Sequence, residues 1–218
     1  MKTALIFGSS GLVGKNLLNQ IINNSNYSKV KIFVRSSLEI SDPKVEIINT
    51  DFKDLQKIKN LIIGDDCFFC IGTTKKNSPD KNEYRRIELD LPKKIAQISK
   101  SNDIRSFIYV SSGFADPNNS GDYLKFKGLV EEEIKSLNFE KIGILRPSFL
   151  LGNRKEKRVG EKIGIFIFKL LSPLFFGPIK KMKPIHSEKV AKAMIKIANE
   201  NLGKTILESD EIVEISSG

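Results

Sequence analysis

The chain has 218 residues, 40% of them hydrophobic, and a formal net charge of +10 at pH 7. This length is sufficient for one doubly wound α/β domain with a sizeable core. The apolar run after Lys2 is too short for a secretion signal and leads into glycines, so we expect a cytoplasmic location. Nucleic-acid binding is disfavoured, because the basic chain carries no aromatic-rich sheet motif and no recognition-helix signature.

The first strand–turn–helix unit carries the strongest functional signal. An apolar run at 4–7 ends at Gly8, and an amphipathic helical pattern begins after Gly14. Free N–H groups and the positive end of a helix dipole favour a phosphate there. Gly8 permits a tight turn, Gly11 allows close approach of a pyrophosphate, and Gly14 lets the helix pack on the strand. The segment Gly8-Ser9-Ser10-Gly11-Leu12-Val13-Gly14 therefore predicts a dinucleotide site.

The second strand, expected at 30–34, bears on the choice of cofactor. In a dinucleotide fold its end meets the adenosine ribose, where an acid would bind a free 2′-hydroxyl. Here Arg35 and Ser36 stand at that place, and a guanidinium beside a hydroxyl suits a 2′-phosphate. We therefore predict NADP rather than NAD. Asp51, after a third strand at 45–48, could contact the adenine or cap a helix that begins near Asp54.

A fourth strand is expected at 67–71. It ends in Ile71-Gly72-Thr73, where a glycine lets the backbone approach the second ribose and a threonine offers a hydroxyl. Cys67 and Cys70 have CxxC spacing, but they lie in a buried-strand pattern in which residues three apart face opposite sides. No second pair completes a metal site, so we expect two core cysteines in a reducing compartment. A long helical pattern then spans 83–100, with Pro92 as a kink or break.

The fifth strand is expected at 106–110, and Ser111 and Ser112 follow it directly. A helix that carries Tyr123 and Lys127 comes next. A Tyr and a Lys four residues apart share one helix face, about 6 Å apart at their Cβ atoms. The Lys127 ammonium would stabilise a phenolate at Tyr123, as acid–base chemistry requires. A hydroxyl from the preceding strand end could hold a substrate carbonyl.

Six segments together resemble the short-chain dehydrogenase/reductases, and within them the small atypical members of the Tat-interacting oxidoreductase group. They are GSSGLVG (8–14), FVRS (33–36), FFCIGTT (68–74), IYVSSGFAD (108–116), YLKFKG (123–128) and LRPSFLLGNR (145–154). The resemblance implies a Rossmann-type sheet and an NADP site. It makes Tyr123 the acid/base, Lys127 its partner and a ligand of the nicotinamide ribose, and Ser112 rather than Ser111 the carbonyl-holding group. The implied cofactor contacts are Ser9, Ser10, Gly11, Leu12, Val13, Arg35, Ser36, Ile71 and Gly72, together with Tyr123 and Lys127.

The sequence beyond the sixth strand, at 141–145, is less informative. Pro147 forces an extended exit that could place the following residues against the nicotinamide. The apolar run 163–179 is too short to span a membrane. A substrate-pocket wall or a homodimer contact is favoured there over peripheral contact with an anionic membrane. His186 is expected at a helix start, outside the site, and one or two short strands are expected within 204–215.

Taken together, the sequence predicts one α/β domain over residues 1–218. Its core is a Rossmann-type doubly wound parallel sheet, and residues from about 151 contribute a small C-terminal substrate lobe. The predicted function is NADPH-dependent reduction of a carbonyl compound, or the reverse oxidation of an alcohol. The alternative is an NADPH-binding regulatory or sensor protein with little turnover.

Overall fold

A parallel β-sheet with helices on both faces forms the body of the protein. The structure is a computed structural model that describes residues 1–36, 38–152 and 183–217. The strands are β1 (Lys2–Phe7), β2 (Tyr27–Val34), β3 (Val45–Asn49), β4 (Asp66–Phe69), β5 (Ser106–Val110), β6 (Lys141–Arg146), β7 (Leu150–Leu151), β8 (Ile185–His186) and β9 (Ile206–Glu208).

Seven strands form the main sheet, in the order β3-β2-β1-β4-β5-β6-β9, and all six pairings are parallel. The order reverses between β1 and β4, and such a switch point opens a crevice at the carboxyl ends of the strands. The predicted Rossmann-type doubly wound sheet is therefore confirmed. β7 and β8 form a separate parallel pair beside it.

The helices are α1 (Leu12–Ile22), α2 (Lys81–Arg85), α3 (Leu91–Ser101), α4 (Asp122–Ser136), α5 (Ser187–Asn199) and α6 (Ser209–Ser217), with a 3-10 helix at Leu55–Leu61. A π-helical segment, Arg86–Asp90, joins α2 to α3. None of the helices in the described part of the chain is long and apolar enough to cross a membrane.

Two hydrophobic cores lie on the two faces of the sheet. One contains apolar side chains of α1, α5 and α6, and the other contains those of the 3-10 helix, α3 and α4. Cys67 belongs to the second core and Cys70 packs against the first. The two cysteines therefore face opposite sides of the sheet, as their position three residues apart in a strand predicts.

The C-terminal region contains one strand within 204–215, β9, which agrees with the predicted one or two strands. The helix α6, which was not predicted, follows it directly. Asp210 and Glu211 lie in the first turn of that helix and Ile212 is buried, a pattern that favours a helix over a second strand. Residues 187–217 thus complete the sheet and one helix layer. The run 163–179, assigned above to a pocket wall, dimer contact or membrane contact, lies outside the described residues.

Pro92 does not break its helix. It occupies the start of α3, and the chain stays helical through the π-helical segment before it. A proline cannot donate to the carbonyl four residues earlier, here that of Glu88, and its ring crowds that carbonyl. The wider π-helical turn accommodates both effects, and such turns occur frequently at functional sites.

Candidate active site

The glycine turn after β1 has the tight geometry that its sequence predicts. Gly8 has φ +92°, and a Cβ atom there would lie 2.8 Å from the backbone nitrogen of Ile71. A Cβ atom on Gly14 would lie only 2.1 Å from the carbonyl oxygen of Gly8. The N–H of Gly11 donates to that same carbonyl at 3.0 Å. Glycine is therefore required at both ends of the turn, where strand and helix approach each other.

The N-terminus of α1 fits the pyrophosphate of a dinucleotide. Gly11 is its N-cap, no side chain of the described residues caps the helix, and its first turn contains no acid. The hydroxyl of Ser9 is buried and finds no hydrogen-bond partner within the described ranges. The N–H groups of the first helical turn and the helix dipole together favour an anion.

A cavity of about 1230 Å³ opens beside this turn at the carboxyl ends of the strands. Nine residues predicted for cofactor or catalysis line it: Ser10, Gly11, Leu12, Val13, Ile71, Gly72, Thr73, Tyr123 and Lys127. The cavity-lining residues in the described part of the chain do not include Gly8, Ser9, Gly14, Arg35, Ser36, Asp51, Ser112 or Pro147. Gly8 and Gly14 shape the turn instead. The carbonyl of Pro147 accepts from the N–H of Gly113 at 3.0 Å.

Tyr123 and Lys127 lie on one face of α4 and both reach the cavity. The Lys127 ammonium is 5.8 Å from the centroid of the Tyr123 ring. The Tyr123 side chain is 40% exposed, whereas Lys127 is buried. Lys127 donates to the hydroxyl of Tyr109 at 3.1 Å and to the carbonyl of Val110 at 3.4 Å. A solvent-accessible phenol thus stands beside a buried, fixed cation.

The two serines at the end of β5 are placed differently from the prediction. Ser111 lines the cavity, whereas Ser112 does not, and the Ser112 hydroxyl donates to the carbonyl of Gly113 at 3.3 Å. The Ser111 hydroxyl donates its proton to Glu131 at 2.5 Å, so only its oxygen lone pairs are available to a ligand. The structure therefore brings Ser111 together with Tyr123 and Lys127, and leaves Ser112 outside that group.

Two buried acids of this region were not predicted from the sequence. Glu131 accepts from Ser111 and from Arg146, and the hydrogen bond that Arg146 donates to Glu131 raises the pKa of Arg146. Glu88 lines the cavity and pairs with Lys127 at 3.2 Å. Glu131 follows Lys127 by four residues on the same helix, so helical spacing could have identified it. The sequence gives a weaker indication for Glu88, which is an acid about one helical turn before Pro92.

The residues predicted for the adenosine end lie outside the cavity wall. Arg35 and Ser36 are exposed immediately after β2. Asp51 is also exposed, and its carboxylate accepts from the backbone N–H of Lys53 at 2.9 Å. The cap of the following 3-10 helix is Asp54, which accepts from Gln56. Asp51 therefore does not serve as that helix cap, and its contact with an adenine stays a prediction.

The environment of the two thiols does not suit redox chemistry. Burial raises the pKa of Cys67 to about 12, and burial also raises that of Cys70 well above its usual value. Reactive cysteines need the thiolate form, which these sites disfavour. Cys70 nevertheless lines the cavity, as does His186 at the N-cap of α5, and neither was predicted for the site. His186 does stand at a helix start, as expected.

Comparison with known proteins agrees with this geometry. A family model described as NAD(P)H-binding matches residues 8–201. Protein HTATIP2 of Rattus norvegicus is 33% identical over 164 residues, which cover 73% of this chain and 67% of that protein. The mitochondrial protein FMP52 of Eremothecium gossypii is 30% identical over 217 residues, or 97% of this chain and 96% of the relative.

The solved structures support the fold. A UDP-N-acetylglucosamine 4-epimerase from Methanobrevibacter ruminantium superposes with a TM-score of 0.71. It is 20% identical and is matched over 94% of this chain and 74% of its own. Pen from Bacillus thuringiensis also has a TM-score of 0.71, at 14% identity, over 99% of this chain and 73% of its own. At these identities the similarity concerns the fold alone.

The predicted cytoplasmic location is wrong by these comparisons. Relatives that match almost the entire chain are named as mitochondrial proteins, among them FMP52 of Eremothecium gossypii and of Saccharomyces cerevisiae. By contrast, the resemblance to atypical short-chain dehydrogenase/reductases is confirmed, and so is a nicotinamide dinucleotide as the cofactor class. On the family match over residues 8–201 and the glycine turn that it includes, the chain belongs to the NAD(P)H-binding family.

Proposed function

We propose that this protein is an NADP-dependent oxidoreductase that transfers hydride between NADPH and a carbonyl or alcohol substrate. One observation carries the proposal: Tyr123 and Lys127 line the same cavity as the open N-terminus of α1. A cofactor anchored by its pyrophosphate at that helix would extend along the cavity toward these two side chains. Substrate binding and proton transfer would then take place at one end of a single cleft.

When bound, NADPH would supply the hydride for the carbonyl carbon of the substrate. The protein supplies the proton, and Tyr123 is the group placed to deliver it, because its side chain is exposed to the cavity. When the Tyr123 hydroxyl protonates the carbonyl oxygen, a phenolate remains. The Lys127 ammonium, 5.8 Å from the ring centroid, stabilises that anion until solvent returns the proton.

The preference for NADP over NAD rests on the charges after β2. Arg35 and Ser36 offer a guanidinium and a hydroxyl to a 2′-phosphate. A hydrogen bond from Arg86 lowers the pKa of Glu83, and the charges of Lys53 and Arg35 lower it further. All three cations therefore lie within electrostatic range of Glu83. Arg86 is paired with that carboxylate, so the charges of Lys53 and Arg35 are the ones that would favour an additional anionic group here.

The cofactor assignment is tested by fluorescence titration with NADPH and NADH. We expect NADPH to bind more tightly, and Arg35→Asp to remove a charge-assisted phosphate contact of about 1–3 kcal/mol, roughly 5- to 150-fold in affinity. Arg105→Asp is the matched control, because Arg105 is an exposed arginine at the opposite end of the sheet. Equal affinity of the wild-type protein for the two cofactors would refute the NADP assignment.

The chemistry is tested in a carbonyl-compound screen with the wild-type protein and three variants. Tyr123→Phe should leave NADPH binding largely intact and lower turnover by about a hundredfold or more. Ser111→Ala and Ser112→Ala are measured alongside, since the serine that holds the substrate oxygen is the one whose loss lowers turnover. Wild-type turnover by Tyr123→Phe would refute the mechanism.

A regulatory NADPH-binding protein is the second candidate, and one observation favours it. The Ser111 hydroxyl donates to Glu131, and Ser112 is not among the cavity-lining residues that the structure describes, so neither of these two serines directs a hydroxyl proton at a substrate oxygen. Tight NADPH binding with no turnover across the screen would support this function over catalysis. The enzymatic proposal keeps the predicted substrate lobe from about residue 151 onward.

A further inference from the structure

Glu88 is a buried acid within the cavity wall. Its side chain is 1% exposed, although it lines the same cavity as Tyr123 and Lys127. It lies in the π-helical segment, four residues before Pro92. A buried carboxylate is costly unless charge and hydrogen bonds compensate it. Its position therefore calls for an explanation beyond packing.

The two carboxylate oxygens of Glu88 contact two different parts of the site. Oε1 accepts a short hydrogen bond from the backbone N–H of Thr73, in the loop that follows β4. Oε2 lies 3.2 Å from the Lys127 ammonium, in an ion pair that does not have hydrogen-bond alignment. One side chain thus joins the glycine–threonine loop of the cavity to the lysine of α4.

The charge balance at Lys127 depends on this contact. Burial by itself opposes the charged form, but Glu88 and the phenolic oxygens of Tyr109 and Tyr123 outweigh it, so the pKa of Lys127 lies well above its usual value. Cys70 and Tyr84 also lie within electrostatic range of Lys127, and burial raises the pKa of each above its usual value. Among the described residues that face Lys127, Glu88 is therefore the one that supplies a negative charge.

We propose that Glu88 is a positioning residue of the active site, which fixes Lys127 and the loop at Thr73 in one arrangement for the nicotinamide ribose and for Tyr123. This inference rests on the proposed function, because it assigns Lys127 to cofactor binding and to stabilisation of the phenolate. Each oxygen has a separate task. Oε2 keeps Lys127 charged, and Oε1 holds the loop.

Glu88→Gln separates the two tasks, since glutamine keeps an acceptor for Thr73 and loses the negative charge. Lys127 would remain buried without its counter-charge, so its pKa would fall. Below that lowered pKa the ammonium persists, and above it the charge is lost. We expect the variant to bind NADPH nearly as wild type at about pH 6.5 and about tenfold more weakly at about pH 9, whereas wild type changes little.

Glu133→Gln is the control, because Glu133 lies on α4 and pairs with Lys93 outside the cavity. It should bind NADPH as wild type at both pH values. A loss of affinity in Glu88→Gln that is equal at both pH values would overturn the proposal, since a merely structural role gives no pH dependence. No loss at either pH would overturn it as well.

A stability cycle tests the pairing without any cofactor, so its result stands even where wild type fails to bind NADPH and the proposed function falls. Glu88→Gln and Lys127→Met should each lower Tm by about 6–20 °C for a chain of this size. Each variant leaves a buried polar or charged group without its partner. The double variant should lower Tm by clearly less than the sum. Additive losses would show that the two side chains do not act as a pair, and would overturn the proposal.

Discussion

The glycine turn yields a prediction whose size follows from interatomic distances. In Gly14→Ala the new Cβ would lie 2.1 Å from the carbonyl oxygen of Gly8, well inside the 3.4–4 Å of ordinary van der Waals contact. Both groups are backbone, so no side-chain rotation relieves the overlap. Alanine gains about 1 kcal/mol of helix propensity over glycine, but an overlap of this kind costs about 3 kcal/mol or more.

The net loss of about 2 kcal/mol or more corresponds to a decrease in Tm of about 4–8 °C for a chain of this size. Relief of the overlap must also move α1 away from β1. That movement displaces the N–H groups offered to the pyrophosphate, so NADPH affinity should fall about tenfold or more. Thermal unfolding and NADPH titration measure the two effects.

Gly113→Ala is the matched control, because its Cβ would approach no atom of the described residues closer than 3.7 Å. Its Tm should stay within about 1 °C of wild type. If Gly14→Ala matched this control in Tm and in NADPH affinity, the close approach of α1 to β1 would be refuted.

Two further predictions concern buried polar groups in and next to the strands of the sheet. Tyr27 donates to Asp66 at 2.7 Å, so Tyr27→Phe should cost about 1–3 kcal/mol in urea unfolding, and an unchanged midpoint would contradict the bond. The thiols of Cys67 and Cys70 should resist labelling in native protein at neutral pH, because burial raises both pKa values, and rapid labelling would contradict this. Since each folded pKa exceeds the unfolded value of about 9, the thiols favour the native state below that pH, and the urea midpoint should fall above it.

The parts of the site that the sequence predicts correctly depend on local geometry. The turn from Gly8 to Gly14 is defined by the dihedral angles and close contacts of seven consecutive residues. The shared face of Tyr123 and Lys127 follows from the four-residue spacing of a single helix. The parallel, doubly wound sheet follows from the alternation of strands and helices along the chain. In each of these cases the sequence pattern that makes the prediction lies within one helix or strand, or within one connection between them.

The choice between Ser111 and Ser112 depends on geometry that no local pattern contains. Successive side chains at the end of a strand point to opposite sides of the sheet. If the strand ended one residue earlier or later, the other serine hydroxyl would face the cavity. Two features fix the path of the chain after β5 here. The N–H of Gly113 donates to the carbonyl of Pro147, in the segment after β6, and Phe114 has φ +64°. A bulky residue with positive φ is rare and cannot be anticipated from its identity.

The buried acids explain why these hydroxyls and cations stay where they are. Glu131 holds Ser111 and Arg146, and Glu88 holds Lys127 and the N–H of Thr73. A buried ion pair contributes little net stability, because desolvation offsets most of its attraction. Retaining two such pairs directly beneath one cavity is therefore better explained by the orientation they impose on the side chains above them. Helical spacing from Lys127 points to Glu131, but only the contact between the π-helical segment and the loop after β4 reveals the role of Glu88.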